Sequence, residues 1–396
     1  MKRSYRYRIY PTSSQISILE NILSMCRHLY NWALKERTDA YEKEQKTVTY
    51  LEQQNNLPLL KKQRPWFKGV YSLVLQDVLR RLDTAYKKFF KEKRGFPNYR
   101  KKGQYTSITY TQHRSMPKDG YVTIPKIGKV AIKYHREIPD DAELKTLTII
   151  KEGSKWFCSF SIELKDLPES KPNVKSAIGI DLGLENFIYC SDGQSFDALK
   201  AFRAYQKNLG KLQKKLQKAK KRTKRYRKIL KALQKAFYRI KCKRKGYHHY
   251  LAGKLLKISD LIFVEDLAIS NMVRRPKPKI DEETGKYLPN GAFWKRGMNK
   301  SILDAAWGRF LLLLKCRAEN VGKHVISVNP KNTTQRCCNC GMIVKKTLKD
   351  RIHVCPNCGI ILPRDYNSAI EVLRLGLESL DFTLEVLEAP TIMQSI

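Results

Sequence analysis

The sequence predicts a multidomain α/β protein: a small β-barrel interrupted by a helical insertion, then a larger α/β domain that carries a cysteine-held ribbon. Three observations carry this. Short β-rich runs crowd residues 104–165, buried-type strands alternate with helices from residue 176 onward, and two C-x-x-C pairs lie near the end. A chain of 396 residues has room for several cores. Its formal net charge of +41 opposes compaction unless a polyanion neutralises it. Nucleic acid is the expected polyanion, because phosphate contacts release counterions. No uninterrupted apolar stretch approaches the ~18 residues of a spanning helix. The start, MKRSYRYRIYPTSSQ, has no apolar centre of a signal peptide. A cytosolic or nucleoid location without membrane attachment is expected.

SYRYRIY alternates with the strand period, and Pro11 ends it. Ile18, Ile22, Met25, Leu29 and Trp32 then recur at three- and four-residue steps and predict a helix from Ser14 to about Lys43. A polar connection leads to a second long helix from about Tyr71, with Leu75, Leu79, Leu82, Tyr86 and Phe89 on one face. The runs YTSITYTQ, GYVTIP, GKVAIKYH, LKTLTIIKEG and KWFCSFSIEL predict a small antiparallel barrel or sandwich that the first strand joins. SKPNVK, 170–175, reads as a linker. Next, VKSAIGIDLGLENFIYCSDGQSF suits a buried strand, a turn and a second strand. Residues 200–258 predict a basic helical hairpin facing phosphate. DLIFVEDL is a short buried strand, 274–297 a mobile loop, NKSILDAAWGRFLLLLKCRAENVG one amphipathic helix, and HVISVNP a strand.

Cys337, Cys340, Cys355 and Cys358 form two pairs, each followed by Gly, and four thiolates make a closed tetrahedral zinc site that is structural, not catalytic. Cys338 is left unligated. Cys26, Cys158, Cys190, Cys242 and Cys316 are expected to be buried small apolar residues. Three acids stand at suggestive places: Asp181 after AIGI, Glu265 after LIFV, and Asp365 before the last amphipathic run, where it also fits a helix N-cap. Gly179 and Gly183 beside Asp181 allow close approach. Carboxylates gathered from distant segments repel unless a cation joins them, and hard divalent ions held by oxygen support phosphodiester cleavage. Asp192, Asp197, Asp260, Asp266 and Asp304 are weaker candidates. No P-loop is present, which argues against ATP hydrolysis.

GIDLG, a strand ending VEDL, the paired knuckles and RDYNSA, in this order, resemble the split RuvC-like nuclease core of the TnpB family of transposon-encoded, RNA-guided DNA endonucleases. The resemblance extends to YRIYPTSSQISILENILSMCRHLYNWAL, LVLQDVLRRLDTAYKKFF, GFPNYRKK and NKSILDAAWGRF, and so covers nearly the whole chain. It implies an RNase H-like (RuvC) nuclease domain with an inserted zinc ribbon, and a wedge barrel with a helical recognition lobe. The implied layout is wedge strand 1–12, recognition lobe 13–100, wedge 101–170, nuclease 171–330, target-binding ribbon 331–362 and nuclease 363–396. Asp181, Glu265 and Asp365 become the catalytic acids, with Mg²⁺ as the ion in a two-metal site, and the ribbon holds structural Zn²⁺. The implied partners are a guide RNA from the transposon end and double-stranded target DNA, within a monomeric ribonucleoprotein. Protein would read a short adjacent motif while pairing reads the rest. Tyr50, Gln76 and Thr111 match motif-reading positions, and Arg364 and Asn367 become neighbours of the scissile phosphate. Three features depart from the family pattern: the doublet Cys337–Cys338, Tyr366 and Ser368 within RDYNSA, and the length of GKYLPNGAFWKRG. A catalytically idle guided repressor and a miniature type V CRISPR effector remain alternatives.

Overall fold

The computed structural model describes residues 2–113, 115–164, 174–347 and 350–380. The chain divides into two compact units, Met1–Pro168 and Glu169–Ile396. Of the linker expected at 170–175, residues 170–173 lie outside the described residues, as do residues 381–396 of the last expected segment.

The first unit begins with strand β1 (Lys2–Tyr10) and helix α1 (Ser13–Glu44). Thr12 starts α1 with a reciprocal capping box: its hydroxyl accepts from the Gln15 amide, and the Gln15 side chain accepts from the Thr12 N–H at 3.0 Å. The polar connection is not a plain loop. It folds into α2 (Tyr50–Asn55), α3 (Leu57–Gln63) and a 3₁₀ turn (Pro65–Gly69), because Thr49 and Glu52 form a second capping box and Leu57, Leu60 and Phe67 reach the core. Helix α4 (Ser72–Glu92) buries Val74, Leu75, Val78, Leu79 and Leu82. Strands β2 (Ser107–Tyr110), β3 (Tyr121–Ile124), β4 (Gly128–Lys133), β5 (Glu143–Glu152) and β6 (Lys155–Glu163) follow.

With β1 they form one antiparallel sheet in the order β2-β5-β6-β1-β4-β3. β2 and β3 stand at its two ends, so among the described residues the ladder does not close into the expected barrel. A single hydrophobic cluster runs from Tyr7 and Ile9 through Leu29 and Leu79 to Phe160. The helical and strand-rich segments therefore share one core, and residue 100 does not separate two compact units.

The second unit opens with β7 (Ala177–Asp181), β8 (Asn186–Cys190) and β9 (Ser195–Asp197), an antiparallel meander. Helices α5 (Ala201–Lys218) and α6 (Lys224–Ile258) make the expected basic hairpin. β10 (Leu261–Glu265) returns parallel to β7 and is buried at every position. The segment expected to be loop carries a short helix α7 (Ile269–Met272), a small hairpin of β11 (Lys279–Ile280) and β12 (Tyr287–Leu288), and the start of α8 (Ala292–Ala305). α9 (Trp307–Asn320) leads to β13 (His324–Val328), parallel to β10. The sheet order is β13-β10-β7-β8-β9. Strands β14 (Ile352–Val354) and β15 (Ile361–Pro363) pair in the cysteine ribbon, and α10 (Arg364–Glu378) closes the unit.

The single amphipathic helix expected around residues 299–322 is two helices. Ala306 lies at φ +55°, in the left-handed region, and breaks the rod between α8 and α9. The break turns Trp307, Phe310 and Leu314 into the core while Asp304 faces α5. An L-residue there carries steric strain that glycine avoids. Ala306→Gly is therefore expected to stabilise by about 1 kcal/mol. Thermal unfolding should show a rise of roughly 2–4 °C, and a fall in melting temperature would refute the strain.

The scattered cysteines behave unevenly. Cys26, Cys158 and Cys190 are buried as expected, but Cys242 and Cys316 are exposed, because they fall on the outer faces of α6 and α9.

Candidate functional site

β7 and β10 pair in parallel with a constant offset, Ile178 beside Ile262 and Ile180 beside Val264. The next step places Asp181 and Glu265 together at the carboxyl ends of two neighbouring central strands. Both are buried. Such strand ends are where open α/β sheets gather ligands. Gly179 and Gly376 let α10 lie directly on the sheet. A Cβ at Gly179 would stand 2.2 Å from the Ala369 carbonyl oxygen, and one at Gly376 would strike the Phe263 ring at 2.1 Å. This close approach brings the first turn of α10, with Asp365, to the end of β7. A Cβ at Gly183 would lie 3.8 Å from Asp365 Oδ2.

Asp365 is not the helix cap. Pro363 occupies that position with no side-chain cap bond, and Asp365 sits inside the first turn, where Arg364 Nε donates to its Oδ1 at 3.3 Å. Its carboxylate is thus not tied to helix amides and projects among the other acids. Burial, then the charges of Glu265 and Asp365, push Asp181 well above the usual carboxylate range, against a smaller lowering by Arg364. Burial likewise raises Glu265, opposed by a hydrogen bond from the Thr333 hydroxyl. Glu265 and Asp365, from distant segments, therefore both bear on the charge of Asp181. The donor chemistry, two buried carboxylates with a third half-buried beside them and unfavourable charge at Asp181, fits a hard divalent cation.

The weaker candidates have other employment. Asp304 accepts from the Phe202 amide at 2.8 Å, the Arg203 amide at 3.1 Å and Arg244 at 2.9 Å. It supplies from α8 the cap that α5 lacks at Lys200. Asp260 pairs with Lys323 at 3.0 Å and receives the Lys175 amide. Asp192 closes a turn with Gln194. The Asp197 carbonyl accepts from Tyr247. Asp266 is exposed beyond Glu265. A cavity of about 440 Å³ beside α5, α6 and α8 is lined by Phe187, Arg203, Tyr247 and His248, and its one acid is Asp304.

Cys337, Cys340, Cys355 and Cys358 offer sulfurs that all lie within 4.8 Å of one another, the one such group among the described residues. Sγ atoms of Cys337 and Cys358 are 3.6 Å apart, and those of Cys340 and Cys355 3.5 Å. Tetrahedral zinc–thiolate bonds of about 2.3 Å put sulfurs about 3.8 Å apart, so the set fits zinc. A hydrogen bond from the Asn357 side chain pulls Cys340 down to about 6 and the Ile360 amide lowers Cys358, which favours thiolates at these two, while burial pushes Cys337 up to about 12. Cys338 stands outside the set; its thiol is buried and pushed up to about 11. Its backbone N–H donates to Asn367 Oδ1 at 3.0 Å.

That bond corrects the expectation for Asn367. The residue is fully buried, and its Nδ2 donates to the Arg336 carbonyl at 2.8 Å, so both ends of the amide are engaged within the protein. Arg364 is half-buried, committed to Asp365 and to the Asp350 carbonyl at 3.1 Å. In the first unit Tyr50 lies under Arg80, whose guanidinium is 5.7 Å from the ring and donates to its hydroxyl at 3.4 Å. Gln76 is one turn before Arg80 on α4, half-exposed, and Thr111 is half-exposed in the turn after β2. Sequence reasoning missed Thr333 and Glu371. Thr333 reads as one polar residue of NPKNTTQR, and nothing local marks its bond to a strand 68 residues earlier.

Family models match in three stretches: a helix-turn-helix domain at residues 1–46, the OrfB_IS605 probable transposase at 159–275, and a Cas12f1-like TNB domain at 307–372. The fold is similar to that of a Cas12f1 solved as a complex with sgRNA and target DNA. The likeness covers 94% of this chain and 98% of that one, with TM-score 0.52 and 12% identity. With the four-cysteine cluster, this fold fits the class of RuvC-type nucleases that carry a zinc ribbon. The InsQ protein of Escherichia coli (strain K12), which bears the name of an RNA-guided DNA endonuclease, is 28% identical over 351 residues, 87% of this chain and 85% of its own. A Streptomyces pristinaespiralis protein with the same kind of name is 27% identical over 383 residues, 95% of this chain and 90% of its own. Together the matched family models and these relatives support a TnpB-family protein related to the type V effectors.

Proposed function

We propose that this protein is an RNA-guided, Mg²⁺-dependent DNA endonuclease that cuts guide-matched duplex DNA with a single RuvC-like site. One observation carries the reading: Asp181, Glu265 and Asp365, from β7, β10 and α10, converge closely enough for their charges to raise Asp181. The names of the two long relatives, and the mixed five-stranded sheet with acids at the ends of adjacent parallel strands, support it.

In this reading the three carboxylates would hold the ion, and Arg364, beside Asp365, would face the scissile phosphate. Bound Mg²⁺ would supply charge stabilisation on the phosphoryl oxygens and acidify water. Hydrolysis forms a bond from water oxygen to phosphorus and breaks the P–O3′ bond. The 3′ oxygen takes up a proton, leaving a 5′ phosphate and a 3′ hydroxyl. The basic hairpin of α5 and α6 contributes to holding guide RNA and heteroduplex, with little sequence preference of its own. Tyr50, Gln76 and Thr111 belong to the reading of the adjacent motif; an amide such as Gln76 suits an adenine edge.

The test is cleavage of a plasmid carrying a guide-matched target, with Mg²⁺, by protein loaded with guide RNA. Wild type should cut and Asp181→Ala should occupy the target without cutting. Equal cutting by both would refute the assignment. Occupancy without nicks by wild type would identify a guided binder instead.

A further inference from the structure

The ribbon is bound to the carboxylate site at three points. At its entrance, Thr333 is 2% exposed and donates its hydroxyl to the Glu265 carboxylate. At the first knuckle, the Cys338 amide and the Arg336 carbonyl take both ends of the Asn367 amide, two residues after Asp365. Just before the second knuckle, the Arg364 amide donates to the Arg351 carbonyl at 2.8 Å, and the Arg364 guanidinium to the Asp350 carbonyl. Farther along α10, fully buried Glu371 lies 3.4 Å from Arg336 Nε and is also paired with Arg374 at 2.6 Å. A ribbon that only touched nucleic acid would not require a buried threonine on one acid and a buried amide beside another.

We propose that the four-cysteine ribbon is a brace for the carboxylate site: Thr333 is a positioning residue for Glu265, and Asn367 a positioning residue for Asp365. The thiolates, closed around a metal, keep residues 336–338 and 350–351 at a fixed separation, and α10 is held between them by its first turn. The brace rests on the reading of the three acids as the ion-holding site. Partners of this kind orient carboxylate ligands, and their removal typically costs about 10–100-fold in metal affinity or activity.

The experiment compares full-length wild type, Thr333→Val, Thr333→Ser, Asn367→Leu and Asp181→Asn, each loaded with guide RNA. Four quantities are read: zinc content, target affinity, the rise in melting temperature on adding Mg²⁺, and cleavage against Mg²⁺ concentration. Thr333→Val should keep its zinc and bind target within about twofold, yet need on the order of 10-fold more Mg²⁺ for both the thermal shift and cleavage. Thr333→Ser, which retains the hydroxyl, should restore the wild-type Mg²⁺ requirement. Asn367→Leu should show the same separation, with cleavage falling more than target binding. If wild type shows an Asp181-dependent Mg²⁺ shift and Thr333→Val and Asn367→Leu match it, the brace is overturned while the site assignment stands. If wild type shows neither that shift nor cleavage, the site assignment fails and the brace fails with it.

Discussion

Replacing Asp181 by Asn is expected to stabilise the protein at pH 8 in buffer without added Mg²⁺, and to abolish cleavage. Asp181 is buried beside Glu265 and Asp365, and its folded-state pKa lies above the ordinary value near 3.8. The folded state therefore binds a proton that the unfolded chain has released, throughout the window between the two values. Stability falls as pH rises through that window, because ionisation places an uncompensated charge among like charges. Asn removes the charge and keeps the shape. The variant's advantage should be several degrees at pH 8 and shrink toward pH 4, where Asp181 is protonated in the folded state and partly protonated in the unfolded chain. Mg²⁺ should raise the melting temperature of wild type at pH 8 and leave the variant nearly unmoved. Cleavage should fall on the order of 10³-fold or more. Thermal unfolding at pH 4, 6 and 8, with zinc retained, measures the stability term. A pH-independent difference would show that repulsion among the acids is not its source.

Removing zinc is expected to unfold the ribbon locally and leave the first unit intact. Within itself the ribbon has little secondary structure to hold it. β14 and β15 are three residues each, and Arg336 and Ile343 form an isolated bridge. Ile352, Val354 and Ile361 are exposed, while His353 is buried between them. Four thiolates around one ion replace the core that so short a segment lacks. Cys340→Ser, or chelation, should erase the hydrogen-exchange protection of the Gly341 and Gly359 amides, which now bond to the carbonyls of Cys337 and Cys355. Protection in β1 and β6 should be unchanged. Zinc loss should steepen with acid, because protonated thiols do not ligate. Cys340, held down to about 6, and Cys358, also lowered, should keep their thiolates longest. Unchanged ribbon protection after zinc removal would mean that packing on α10 alone holds it.

Much of this was legible because the relevant chemistry is local. Cys-x-x-Cys-Gly forms a knuckle wherever it occurs, since the turn and the thiolates share five residues. AIGID and LIFVE are buried-type strands ending in acids, and their period shows it without any partner. Other features depended on contacts between distant segments. Periodicity carried one helix through Ala306, because alanine favours helix and only packing against α5 and the core holds φ at +55°. RDYNSA marked Asp365 for chemistry, and by the same proximity Asn367 for phosphate, but burial under the knuckle gives Asn367 a clamping role. The strand-rich runs were visible, whereas their order β2-β5-β6-β1-β4-β3 was not, because strand pairing depends on long-range register.

The sequence by itself determined which residues carry charge, sulfur and carboxylate, and in what order along the chain. The +41 balance, the four cysteines, Asp181 and Glu265 at strand ends, and Asp365 before a helix all follow from residue identity and short spacing. Tertiary structure alone decided that Glu265 and Asp365 come near enough to act on the charge of Asp181. The parallel pairing of β7 with β10 aligns two of them, and Gly179 lets α10 bring the third. It also decided that Thr333 and Asn367 tie the ribbon to that meeting point. The physical reason is distance: a hydrogen bond across 68 residues, or a helix seated on a glycine, leaves no periodic trace in either segment it joins.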